Sequence, residues 1–118
     1  MKVTIKRSQW LRGEGFLRSR LYRKEDGKMC CLGQVALAEG CSVDDIAEKM
    51  APSDLGCKLS KLTQLNIIKS TNSKSYVDNH ICMSMMETND DEYISDSRRE
   101  KELVSLGCKA GYELEFVD

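Results

Sequence analysis

The chain has no run of apolar residues approaching the roughly 20 needed to cross a membrane, and Met1-Lys2-Val3-Thr4 opens no signal-peptide pattern. Membrane contact is therefore not expected, and a cytoplasmic location is. The six cysteines, Cys30, Cys31, Cys41, Cys57, Cys82 and Cys108, are then read as reduced thiols, most of them small core residues, and not as a disulfide framework. Cys-x2-Cys pairs are lacking, and the closest spacing of metal-ligand types is His80-x-Cys82. Structural zinc draws on ligands two to four residues apart so that one turn presents both, and the remaining set of Cys57, His80 and Cys82 does not meet that rule. No metal and no cofactor are expected.

Histidine is nearly absent too. His80 is the sole candidate imidazole for a thiolate pair with Cys30 or Cys31. A cysteine at a helix start beside Lys28 would have a lowered pKa. A doublet flanked by Met29 and Leu32 is nevertheless the pattern of packing, since free cysteine buries readily. No catalytic residue is assigned, and the chain is read as a non-enzyme. Gly13-Glu14-Gly15 lacks the third glycine of a dinucleotide fingerprint and reads as a turn. Internal repeats are not evident.

What is present is one domain's worth of sequence, 118 residues, long enough for a self-standing core. Charge is distributed unevenly along it. Residues 1–28 hold nine Lys or Arg and three acids, a net +6, whereas the remainder carries −7. Two opposed binding faces follow as hypotheses. The basic one places Arg12, Arg18, Arg20 and Arg23 around Trp10, the mixture of cations and rings that nucleic acid or a nucleotide favours. The acidic one gathers Glu87, Asp90, Asp91, Glu92 and Asp96 within ten residues lacking Lys or Arg, a cluster able to imitate phosphates in a partner's groove. The plainer alternative is that the two segments neutralise each other on one folded surface.

Periodicity yields an α+β fold, with about five short helices packed beside a small, mainly antiparallel sheet. Val3 and Ile5 alternate with polar residues as in a strand, while Ser8 offers a cap for a helical turn carrying Trp10 and Leu11. Phe16 to Arg23 alternates apolar and basic residues as a half-buried strand, and Asp26-Gly27 makes a turn. The first helix spans Met29 to Glu39 and stops at Gly40. The second opens on a capping box of Ser42 and Asp45, carries Val43, Ile46, Ala47 and Met50, and ends at Pro52. A third holds Leu59, Leu62 and Leu65, with Ile67-Ile68 extending it or starting a strand. The polar stretch 70–75 reads as a loop. The fourth helix carries Val77, Ile81 and Met85, and the fifth starts at Ser95 or Asp96, turns Leu103, Leu106 and Ala110 inward, and stops near Gly107 or Gly111. Tyr112 to Asp118 alternates as a final strand, burying Tyr112, Leu114 and Phe116.

Trp10, Gly13-Glu14-Gly15 with Leu17, Cys30-Cys31-Leu32-Gly33 and Asn89-Asp90 together resemble the pattern of a set of small, mostly uncharacterised phage and prophage proteins. The resemblance is clear over residues 10–47 and fainter over 81–118. Here the stretch between the Trp and the glycines is shorter than usual in that set, and Gln34 stands where an aliphatic residue is usual. The resemblance implies a phage-encoded accessory protein that binds and inhibits a host or anti-phage defence factor. It carries over no catalytic residue.

Overall fold

The computed structural model describes residues 2–15, 19–49 and 84–118. The expected third helix, the polar stretch 70–75, Pro52, Arg18, Cys57, His80, Cys82 and most of the expected fourth helix lie outside the described residues.

Strand β1, Lys2–Lys6, buries Val3 and Ile5 and exposes the residues between them. It pairs with β2, Glu113–Val117, so that Val3 lies opposite Leu114 and Ile5 opposite Phe116, placing the apolar side chains of both strands on one face. The pairing is parallel, which corrects the antiparallel expectation. Nearly the whole chain lies between the two strands, and a parallel pair requires such a crossover, whereas a hairpin would join neighbouring segments.

Four helical segments occur among the described residues. Helix α1, Cys31–Ala38, and the short α2, Val43–Ile46, follow the 3-10 turn Arg7–Gln9. Helix α3 occupies residues 84–90, and α4 runs over Asp96–Lys109. The capping box is present as expected, with Asp45 N–H donating to Ser42 Oγ at 3.2 Å and Ser42 N–H to Asp45 Oδ2 at 3.0 Å. Ser95 caps α4 by accepting from the Arg98 N–H. Leu103, Ala110, Tyr112 and Leu114 are buried, while Leu106 and Phe116 are half-buried against the core. Ser8 sits inside the 3-10 turn and does not cap it; Lys6 occupies that position.

Two expectations fail for one physical reason. The segment expected as a strand over 16–23 belongs to no named strand in its described part, residues 19–23, and α2 stops at Ile46 before reaching Met50. Leu21 N–H donates to Lys49 O at 2.7 Å, and Glu48 N–H donates to Tyr22 O at 2.8 Å. Backbone groups that would have extended the helix are used in a single parallel bridge, Tyr22 with Ala47.

The core is one cluster drawn from both strands and all four described α-helices, including Val3, Ile5, Trp10, Leu21, Leu32, Ile46, Met85 and Leu103. Gln34 is buried in it, yet its amide is satisfied at the end of β1. It accepts from Lys6 N–H at 2.9 Å and donates to Lys6 O at 3.4 Å, extending the strand's hydrogen bonding with a side chain.

Gly33 lets α1 approach residue 21 closely, because a Cβ there would lie 1.9 Å from the Leu21 carbonyl oxygen. No rotamer relieves a clash with backbone. Gly33→Ala is expected to destabilise the fold by about 3 kcal/mol or more, read as a lowered urea midpoint at unchanged slope.

Candidate functional site

The last turn of α3 carries Asn89, which is 1% exposed and uses every hydrogen-bonding position of its amide. Its Oδ1 accepts from the Trp10 indole N–H at 2.8 Å and from the Cys31 backbone N–H at 3.1 Å. Its Nδ2 donates to Leu11 O at 3.0 Å and to Asp90 Oδ1 at 3.0 Å. The contact to Cys31 meets a need of helix α1, whose first N–H groups have no partner inside the helix and whose N-cap residue, Cys30, does not cap it with its side chain. A side chain 58 positions away in sequence thus caps α1.

Beside it, residues 13–15 run along the end of α3. Gly13 N–H donates to Asn89 O and Gly15 N–H to Asp90 O, both at 2.9 Å. Gly13 has φ +68°, and a Cβ at that position would stand 3.0 Å from the Arg99 guanidinium. Glycine is favoured there for both reasons. Arg99, 2% exposed, closes the same corner: it donates to Thr88 O at 3.3 Å, to Ile94 O at 3.1 Å and to Asp91 O, and it pairs with Asp96. The carbonyls leaving α3 thereby find a cation, which suits the negative end of a helix.

Asp90 is 6% exposed and accepts the Ser19 hydroxyl proton on Oδ1, the same oxygen that takes the Asn89 amide. Burial pushes its carboxyl above the ordinary value of 3.8, opposed by these two hydrogen bonds and by the charge of Arg99. Asp96 shifts the other way, held down first by the hydrogen bond from Arg12.

The residues expected on the two charged faces are distributed as follows. Trp10 is 2% exposed and is not a surface stacking ring, which corrects that expectation. Its N–H is taken by Asn89, Phe116 packs at 4.7 Å between ring centroids, and the Arg12 guanidinium lies 4.6 Å from the ring centroid. Arg12 also pairs with Asp96 at 3.1 Å, joining one expected face directly to the other. Arg20 is half-buried and donates to Ser19 O at 2.7 Å. Arg23 pairs with Glu14 at 3.2 Å and with Asp26, whose carboxyl the Arg23 hydrogen bond lowers to about 2. Of the acids, Glu87 and Glu92 are exposed and Asp91 is half-buried, its carboxylate accepting from Tyr93 N–H at 2.8 Å. Asp90 is corrected from a surface acid to a buried one, because Gly13, Gly15 and Ser19 cover the end of α3.

Sequence reasoning missed Ser19, Arg99 and Tyr93, read Asn89 as part of a pattern without a structural role, and placed Asp90 both in that pattern and on the acidic face. The proximity of Asn89 to a helix end was the available signal; Arg99 gave none, since its partners are backbone carbonyls. Tyr93 is 88% exposed, and with Met86, Glu87, Asp90, Asp91 and Glu92 it lines a cleft of about 440 Å³. Cys30, Cys31 and Cys41 are buried, and Cys108 is exposed. Among the described residues, no group of three or more His, Cys, Asp or Glu is placed to hold a metal ion, and no helix is long and apolar enough to cross a membrane.

Asn89→Ala leaves the Trp10 indole N–H, the Cys31 N–H and the Leu11 carbonyl without their partner, at an expected cost of about 3–5 kcal/mol. Chemical denaturation measures the loss, and a red-shifted tryptophan emission reports water reaching Trp10. For Asp90, a native pKa raised above 3.8 means that the folded state binds the proton more tightly than the unfolded chain. The resulting stability is fully present below 3.8 and is lost as pH rises through the native pKa. Asp96, lowered, contributes stability above 3.8 that is lost as pH falls through its native pKa. Carboxyl-carbon NMR titration should find Asp90 above and Asp96 below the ordinary range, and Asp90→Asn should remove the decline assigned to Asp90.

No protein-family model, curated protein or solved structure matches the chain.

Proposed function

We propose that the protein is a non-enzymatic binding module of phage origin that interferes with a host or anti-phage defence protein, and that its acidic surface around Tyr93 makes the contact. The observation that carries this reading is the exposure of Tyr93, with Glu87, Asp91 and Glu92 beside it in one cleft. A large aromatic ring left in water between acids is the composition of a protein-contact centre, since tyrosine supplies area at low conformational cost and carboxylates steer a basic partner. Asp91 adds rigidity by holding the Tyr93 backbone N–H.

The charge pattern of the other face supports the same choice. Arg7 binds Glu100 through two hydrogen bonds of 2.9 and 2.8 Å and reaches Asp118 at 3.0 Å; Arg12 and Arg23 pair with acids as well. Their positive charge is largely neutralised within the molecule, which reduces the counterion release that drives nucleic-acid binding.

The test is capture from nuclease-treated bacterial lysate with the tagged wild type and with a Glu87→Lys, Glu92→Lys, Tyr93→Ala variant. Retention of a host protein is expected to survive nuclease and to fall at least about tenfold in the variant. Retention of nucleic acid alone, removed by nuclease and abolished by Arg20→Glu with Arg23→Glu, would replace this reading with binding through the basic face.

A further inference from the structure

Asp90 is a buried carboxylate with an unusual distribution of partners. Both hydrogen bonds it accepts, from Ser19 and from Asn89, fall on Oδ1, and both donors are neutral. Among the described residues Oδ2 accepts none, and Asp90 lines the cleft beside Tyr93. A carboxylate removed from water to this degree gains most from a cation delivered to its open oxygen. Among the described residues, the remaining charged groups lining the cleft are Glu87, Asp91 and Glu92, all of the same sign. Arg99, whose charge acts on Asp90, is committed to Asp96 and to the carbonyls of Thr88, Asp91 and Ile94.

We propose that this cleft seats an arginine side chain presented by the partner protein, with the guanidinium on the Asp90 carboxylate and the Tyr93 ring against its face. The inference rests on the acidic-surface reading and names the group that the surface recognises. Arginine fits better than lysine because its guanidinium is planar, weakly hydrated and able to stack on an aromatic ring while one N–H meets Oδ2. A compact ammonium would surrender more hydration on entering a site whose floor is buried.

The test is an amide NMR titration of the full ¹⁵N-labelled chain with acetyl-arginine amide, using acetyl-citrulline amide as the neutral isostere. Saturable shifts confined to the amides of Gly15, Glu87 and residues 90–93 are expected with the arginine probe and not with citrulline. Asp90→Asn should weaken binding about tenfold, the loss of one charge-assisted pair. Because that change also alters the Ser19 contact, Glu92→Gln with Tyr93→Ala provides a second variant confined to exposed side chains, expected to weaken binding at least about threefold. Equal responses to arginine and citrulline, shifts centred elsewhere, or unchanged affinity in both variants would overturn the assignment. If the probe fails while host-protein capture still depends on Glu87, Glu92 and Tyr93, the cleft assignment falls and the acidic-surface reading stands. If the probe seats in the cleft while capture ignores those residues, the arginine chemistry holds and the partner reading is overturned.

Discussion

One side-chain amide ties the ends of this fold together. Asn89 spends two acceptor and two donor positions on four different groups, and each of those groups is buried where water cannot replace the lost bond. The indole of Trp10, the backbone after it, the first N–H of α1 and the carboxylate of Asp90 are thereby held in one geometry. A buried polar network of this kind is stabilising only when complete, because each unpaired member retains its desolvation cost. The neighbouring backbone contacts from Gly13 and Gly15, and the Arg99 guanidinium, finish the account for the end of α3.

This arrangement explains why residues far apart in sequence form one local pattern. Trp10, Gly13, Gly15, Cys31 and Asn89-Asp90 meet at a single corner. Gly33 permits the close backbone approach between α1 and residue 21. The requirements are structural at each position: a long indole with a donor at its tip, backbone without a Cβ, and an amide with both signs of hydrogen bond. The cysteine doublet belongs to this packing, with Cys30 and Cys31 buried at the start of α1.

The corner also separates the charges that the chain keeps for itself from those it offers outward. On one side, Arg12 crosses from the basic segment to Asp96 while lying over Trp10, so a cation and an anion from opposite ends of the sequence neutralise each other. On the other side, α3 and the turn following it leave Glu87, Glu92 and Tyr93 in solvent. Surface ion pairs of this sort contribute little stability individually. Their larger effect is on the electrostatic field, which is weakened over the arginines and left negative around the cleft.

Local chemistry in the sequence was sufficient for several elements. Alternation of Val3 and Ile5, the Ser42 and Asp45 box, the Ser95 cap and the Tyr112 to Phe116 pattern identify their structures because each depends on neighbours a few residues away. The α+β class follows from them. Strand direction, the early stop of α2, the burial of Trp10 and the roles of Asn89 and Arg99 were decided only by tertiary structure. For all but Arg99 the partner lies far along the chain: Glu113 to Val117 for β1, Tyr22 for the residues after α2, Cys31 and Trp10 for Asn89; the partners of Arg99 are near in sequence, and the turn after α3 brings their carbonyls round it. A residue's hydrogen-bonding capacity is written in its identity, whereas the group that uses that capacity is chosen by the fold.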